Sequence, residues 1–137
     1  MKKGIIALWL LLSAGFLYGQ EIVGKWELQS VVLKKVEYNN NDTIAIQYDS
    51  TMFDSLTSGI FGTIEIKSNG TCLIESDIKG SYAYEDNSIV IDILPVPHSY
   101  SIITLGPNSL KVSKEFWASD KDYIPYHYTA ICTFKKL

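Results

Sequence analysis

Hydrophobic and polar residues alternate along most of the chain after residue 20, in short stretches separated by turn-forming residues. A period of two is typical of a strand that buries one face. The clearest case is Phe61–Lys67 and Thr71–Asp77, which flank the hairpin turn Ser68-Asn69-Gly70. The same pattern predicts further strands over Lys25–Tyr38, Thr43–Tyr48, Gly80–Tyr84, Ser88–Leu94, Tyr100–Leu105, Leu110–Phe116 and Tyr126–Phe134. With no helical period among them, these strands predict an all-β fold, an antiparallel up-and-down (meander) β-barrel of about eight strands rather than a sandwich.

The first strand is long enough to predict a bend or bulge at its middle.

Three stretches between the predicted strands interrupt the alternation. Pro95-Val96-Pro97 is expected to end a strand, because proline cannot donate to a ladder, and Trp117–Pro125 is expected to be a loop. Asn39–Gly59 is the least regular part, and its second half, Asp49–Gly59, predicts a loop or a single helical turn. This stretch is either a lid over one barrel mouth or a tolerated surface insertion.

The N-terminus has the composition of a secretory signal peptide. Met1-Lys2-Lys3 is basic, Gly4–Tyr18 is apolar but short for a bilayer, and Gly19 offers a cleavage point before Gln20. We therefore expect a signal peptide over residues 1–19 and one barrel domain over residues 20–137. No cysteine stands directly after the apolar stretch, so no lipid anchor is expected there. With no second apolar run of membrane length, the expected location is periplasmic or secreted.

Charge excludes some partners. Loss of Lys2 and Lys3 leaves ten lysines against fifteen acidic residues, so the net charge falls from -3 to -5 (10 − 15), and the chain contains no arginine. Nucleic-acid sites depend on basic patches and arginine forks, which argues against a nucleic-acid partner. The lack of arginine also argues against a clamp for a buried carboxylate, so a carboxylate ligand is not the first expectation.

Two cysteines, Cys72 and Cys132, would lie in an oxidising compartment. Alternation places each on an inward face, so they are either a disulfide or two small buried thiols. The sequence does not choose between these alternatives.

Motifs for chemistry are missing. The chain has no Gly-x-Ser-x-Gly elbow and no glycine-rich phosphate loop, and its two histidines, His98 and His127, lack the spacing of a metal site. We therefore expect no enzyme activity, no metal and no cofactor.

Gly24-Lys25-Trp26 opens the first strand, with a glycine that permits a tight entry and an indole large enough to fill the end of a barrel. Together with Gly70-Thr71, Gly80-Ser81-Tyr82 and a closing strand rich in aromatics, this start resembles the small bacterial lipocalin-like domains of the calycin group. The resemblance implies a binding barrel. Where many lipocalins have an arginine over the tryptophan, this chain has Lys135 and Lys136, and a lysine can lie over an indole by cation–π attraction.

Six of the nine tyrosines fall in the second half of the chain. A tyrosine that faces a barrel interior suits a mostly hydrophobic molecule with a few polar groups, although tyrosine is also a common filler of strands. We favour a partly filled pocket over a fully packed interior, and a small hydrophobic or amphipathic ligand. The predicted ligand-binding residues are Trp26, Ile64, Ile66, Ile74, Tyr82, Tyr84, Tyr100, Tyr126 and Tyr128. The alternative is a filled barrel that binds a protein or glycan through its loops, around Asn39–Gly59 and Trp117.

Overall fold

A computed structural model describes residues 22–37, 41–93, 96–119 and 122–137. The predicted signal peptide lies outside the described residues, as do the predicted strand and turn residues at 38–40, at 94–95 and at 120–121. Within the described ranges no helix combines the length and the apolar character needed to cross a membrane.

Between Gly24 and Lys136 the described residues form nine strands and one short helix, and neighbouring strands are antiparallel. The elements are β1 (Gly24–Val36), β2 (Thr43–Ile46), α1 (Ser55–Ser58), β3 (Thr63–Ile66), β4 (Thr71–Ile74), β5 (Ile78–Glu85), β6 (Ser88–Ile93), β7 (Val96–Leu105), β8 (Ser109–Ser119) and β9 (Pro125–Lys136). From β3 to β9 each strand pairs with the next along the chain, as a meander requires.

Strand β1 closes the barrel. One edge of β1 pairs with β9 from Trp26–Lys136 to Lys35–Tyr128. The other edge pairs with β3 along its first part and with the short strand β2 along its last part. The closed ring therefore contains eight strands, β1 and β3 to β9, and β2 extends it at one end. The predicted fold class, an antiparallel meander barrel of about eight strands, is confirmed.

A β-bulge in β1 decides which of its residues are inside. The pairing with β9 shifts register between Leu28 and Ser30, at the middle of the strand, where a bulge was predicted. Trp26 and Leu33 are seven positions apart and would lie on opposite faces of a regular strand. Because the bulge inserts one residue, both are fully buried, while Val32 is half exposed.

Trp26 fills one end of the barrel. Its side chain is fully buried, and its indole Nε1 donates a 2.8 Å hydrogen bond to the carbonyl oxygen of Ile22. The Nζ atom of Lys136 lies 5.5 Å from the centre of the indole ring. The cation–π contact expected for a lysine at this position is therefore present, and the polar N–H of the buried indole is satisfied.

The strands of the second half extend further than the alternation indicates. β6 ends at Ile93, as predicted for a strand that stops at Pro95-Val96-Pro97, but the next strand, β7, already begins at Val96 and contains Pro97. Pairing between β7 and β8 begins only at Ser101–Ser113, so Pro97 lies in a part of β7 with one unpaired edge, where a missing N–H is tolerated. Trp117, predicted in a loop, lies within β8.

Both cysteines are buried free thiols, so the disulfide alternative is wrong. Cys72 lies in β4 and Cys132 in β9, and β3 and β1 separate these strands in the ring. Three strand spacings amount to roughly 14 Å, about twice the reach of a disulfide between two Cα atoms. Burial raises the pKa of the Cys132 thiol to about 12 and also raises the pKa of Cys72.

Replacement of Trp26 by alanine should destabilise the protein by about 3 to 5 kcal/mol, because a large buried side chain leaves a cavity that the barrel cannot collapse to fill. Chemical denaturation of Trp26→Ala measures this loss. Trp117→Ala is the matched control: its side chain is 65 % exposed, and we expect a change within about 0.5 kcal/mol. Equal stabilities for the two variants would show that Trp26 does not support the core.

The thiols should be protected in the folded protein. With a pKa of about 12, Cys132 is thiolate in roughly one molecule in ten thousand at pH 8, and only the thiolate reacts. A thiol-specific reagent at pH 8 should label the native protein slowly, and should label two cysteines per chain once denaturant is added. No labelling of the denatured, unreduced protein would instead indicate a disulfide.

Candidate functional site

Residues 47–62, here called the mouth segment, cover the barrel end opposite Trp26. This end, the mouth, contains Lys35, Phe116 and Tyr128. The segment contains α1, a single helical turn that confirms one of the two expectations for this stretch. Asp54 caps the turn by accepting a hydrogen bond from the N–H of Leu56, and Gly59 ends it in the left-handed conformation at φ 73°.

Phe53 joins the mouth segment to the aromatic lining of the barrel. Its ring meets Phe116 edge to face at 5.1 Å and Tyr128 at 5.0 Å between ring centres. Phe116 and Tyr128 stack on each other at 5.3 Å. Three aromatic rings therefore close the mouth, two from the barrel wall and one from the segment above it.

Three polar side chains lie directly under the mouth segment. Tyr100 donates a 2.6 Å hydrogen bond from its hydroxyl to the carbonyl oxygen of Gly59, and His98 hydrogen-bonds the backbone of Leu56. A Cβ atom on Gly59 would lie 2.9 Å from both His98 Nδ1 and Lys114 Cε, and 3.0 Å from the Tyr100 hydroxyl. The three side chains thus surround one point, and only glycine allows the backbone to approach it so closely.

We call His98, Tyr100 and Lys114 the polar group. Burial shifts the pKa of each of these side chains. Burial and then the positive charge of Lys114 lower the pKa of His98 below 6.5, so its imidazole is neutral at pH 7. Burial also lowers the pKa of Lys114 and raises that of Tyr100 well above 10. The one cation of the group is therefore a lysine held largely out of water.

The barrel interior is packed. The cavity inside it has a volume of about 20 Å³, which is room for about one water molecule, and its lining is apolar. Its walls are Ile64, Ile66, Ile89, Ile91, Tyr100, Leu110, Val112 and Phe134. The partly filled pocket that the sequence favoured is therefore not present in the described part of the barrel, because large side chains from the strands and Phe53 take up the space.

The nine predicted ligand-binding residues lie on the inner face of the barrel or at its rim, but they do not surround one pocket. Ile64, Ile66 and Tyr100 line the small cavity, and Trp26 and Ile74 are fully buried in the core. The remaining four are packed against the core from its periphery or buried at the mouth: Tyr82, Tyr84, Tyr126 and Tyr128.

Two of these tyrosines have polar partners near the barrel ends. The Tyr82 hydroxyl donates a 2.6 Å hydrogen bond to the carbonyl oxygen of Lys67. The Nζ atom of Lys35 lies 4.1 Å from the centre of the Tyr126 ring at the mouth. The role of all nine residues in ligand binding stays a prediction.

Lys114 is not among the predicted site residues, although the sequence contains a signal for its role. Leu110, Val112 and Phe116 share the buried face of β8, and Lys114 lies on that same face with 9 % of its side chain exposed. A lysine on an otherwise apolar face is unusual, because charged side chains are rarely buried without a partner. Gly59 and Phe53 had no such signal, since their roles depend on contacts across the barrel.

Strands β7 and β8 are not paired with each other before Ser101 in β7 and after Ser113 in β8. A recess of about 390 Å³ lies where the two strands diverge. Tyr100 and Lys114 contribute to its lining, together with Ser88, Ser99, Ser101, Ser113 and Glu115. A second surface recess, of about 470 Å³, lies beside β5 and β6. Of the two, only the recess at β7 and β8 reaches residues of the polar group.

The two histidines lie on opposite sides of the barrel wall. His98 is buried inside, whereas His127 lies outside beside Trp117, with ring centres 5.1 Å apart, and 3.9 Å from a carboxylate oxygen of Glu115. Across the part of the chain that the structure describes, no three His, Cys, Asp or Glu side chains come together as a metal site.

Comparison with known proteins gives one match. The family model of the lipocalin-like domain matches residues 22–112, which is well over half of the chain. Searches of curated proteins and of solved structures found no match. The matched residues include the Trp26 start, the mouth segment and the strands from β1 to β7, and the remaining strands complete the same eight-stranded ring. On its sequence and its topology, the chain belongs to the lipocalin-like domain family.

Proposed function

We propose that this protein binds a small hydrophobic or amphipathic molecule at the mouth of the barrel and performs no catalysis. The lipocalin-like fold favours binding in general. The N-terminal sequence of the chain supports an extracytoplasmic location, either periplasmic or secreted, after removal of residues 1–19.

The observation that carries the proposal is the way in which the mouth is closed. A cavity of about 20 Å³ cannot hold an organic ligand. A molecule can therefore enter only where a segment that is not part of the barrel wall can move away from it. The mouth segment is such a place. It is a connection between β2 and β3, and Phe53 contacts the wall through the faces and edges of two rings. A ligand with an apolar part would replace the Phe53 ring on Phe116 and Tyr128.

The packed interior also favours a second candidate, a filled barrel that binds a partner protein or glycan through its surface. Several large apolar side chains are exposed near the mouth, including Trp117 at 65 % and Tyr123 at 88 % exposure. Exposed apolar groups of this kind are common at interaction sites. The experiments below distinguish the two candidates, because only the first requires the mouth segment to move.

Native mass spectrometry of the protein purified from its own secretion compartment should show a chain that begins at residue 20 and carries one small molecule. Extraction of that molecule would identify its chemical class. A mature chain that is free of any ligand, and that also fails to bind a neutral apolar fluorophore, would contradict small-molecule binding and favour the second candidate. A chain that retains residues 1–19 would contradict the proposed export.

Removal of the Phe53 ring should strengthen ligand binding. If a ligand must displace this ring, Phe53→Ala lowers the free energy of opening, and the apparent Kd falls by the same factor. We expect an increase in affinity of about fivefold or more for N-phenyl-1-naphthylamine, a neutral apolar probe, measured by its fluorescence.

Leu56→Ala is the matched control for this measurement. Its side chain lies in the same segment, but it is 43 % exposed and, unlike Phe53, is not packed against the core, so the affinity should change little. Equal affinities for the wild type and Phe53→Ala would show that the probe does not enter under the mouth segment.

A further inference from the structure

Lys114 is buried without an ionic partner. Its side chain is 9 % exposed, and no carboxylate of the described residues lies within ion-pair distance of its Nζ atom. The contact that it does make is with the ring of Tyr100, whose centre lies 5.6 Å away. A buried charge is costly unless it is paired, so a lysine kept in this position indicates a partner from outside the chain.

The two hydrogen-bond donors next to Lys114 are bonded to the backbone of the mouth segment. The Tyr100 hydroxyl donates to the carbonyl oxygen of Gly59, and His98 hydrogen-bonds the backbone of Leu56. Because that bond raises the pKa of His98, the imidazole N–H is the donor and the Leu56 carbonyl oxygen accepts. Two carbonyl oxygens of one segment therefore satisfy two donors that lie beside an unpaired ammonium group.

His98 contributes a second unusual group. It is 2 % exposed, and its Nε2 atom has no hydrogen-bond partner in the described part of the chain. Buried polar atoms are nearly always satisfied, so an exception requires a specific explanation. Because Nδ1–H donates to the Leu56 carbonyl oxygen, Nε2 of the neutral ring is an unprotonated acceptor, so the donor that His98 can offer an anion is its Nδ1–H. The unpaired Lys114 is the group that indicates a missing anion.

We infer that the ligand of this barrel carries a carboxylate, which Lys114, His98 and Tyr100 bind when the mouth segment withdraws. The two carboxylate oxygens would take the place of the Leu56 and Gly59 carbonyl oxygens, and the ammonium group would gain its counter-charge. The apolar part of the ligand would then lie where Phe53 packs. This inference rests on the proposed function, because it names the ligand class of the same site.

The charge of the site favours a carboxylate over a phosphate. Lys114 supplies one positive charge, and His98 is neutral at pH 7 because burial and Lys114 lower its pKa. A single cation with two neutral donors matches a group with one negative charge and two acceptor oxygens. A phosphate monoester brings nearly two negative charges and would remain under-compensated.

A pair of ligands that differ only in the head group tests the inference. Decanoate and 1-decanol should compete with the neutral probe N-phenyl-1-naphthylamine at pH 7.5, with decanoate binding about tenfold or more tightly because charged hydrogen bonds are the stronger ones. In Lys114→Met the preference for decanoate over 1-decanol should disappear. Lys111→Met is the matched control, since Lys111 lies on the same strand but on its outer face, and it should keep the preference.

The stability of Lys114→Met gives a readout that a structural lysine would not share. If Lys114 is present for binding, its replacement by an apolar side chain of similar length should leave the ligand-free protein as stable as the wild type or more stable. A marked loss of stability in Lys114→Met would overturn the inference, because the lysine would then be a structural part of the core.

The two ligands also separate this inference from the proposed function. Equal displacement of the probe by decanoate and 1-decanol would contradict a carboxylate site and leave small-molecule binding intact. If neither molecule binds, by displacement or by calorimetry, both the carboxylate site and the proposed function are wrong.

Discussion

The pairing of β1 with β9 is the interaction on which the rest of the structure depends. The two strands meet from Trp26–Lys136 to Lys35–Tyr128, and this ladder turns an open meander into a closed ring. Closure directs the inner faces of eight strands to one small core. It also fixes the two ends of the barrel, because the start of β1 and the end of β9 carry Trp26 and Lys136 to the same place.

A ring of eight strands has a limited interior, and this one is filled by its own side chains. Trp26 takes one end, and aromatic and branched aliphatic residues take the middle. At the mouth the filling comes from a different source, since Phe53 belongs to a connection and not to the wall. The packing at the mouth therefore depends on a connecting segment, whereas the rest of the core is built from the strands themselves.

The polar group lies at this same end of the barrel. His98 and Tyr100 bond to backbone carbonyl groups of the mouth segment, and Lys114 lies beside them without a carboxylate. The absence of arginine from the sequence argued against an anion site. That argument holds for a bidentate clamp, but a lysine with two neutral donors can offer a comparable number of hydrogen bonds.

Local sequence determined the barrel, because a strand with one buried face has a period of two and its turns use characteristic residues. The number of strands in the ring, the entry at Gly24 and the inward position of Trp26 could all be predicted in this way. The inner-face residues of β3, β4 and β6 could be predicted for the same reason. Those of β1 could not, because the bulge between Leu28 and Ser30 inverts the alternation at a point that pairing with β9 selects.

Only the tertiary structure decided how much room the barrel has and what lies at its mouth. The size of the cavity depends on the sum of side-chain volumes from every strand, which no single strand reveals. The candidate site joins Gly59 to Tyr100, which are 41 residues apart, and adds Lys114 from the next strand. The sequence alone determined that a lipocalin-like barrel forms. Its packing, and the polar group under the mouth segment, depend on contacts between residues distant in the chain, which local patterns cannot specify.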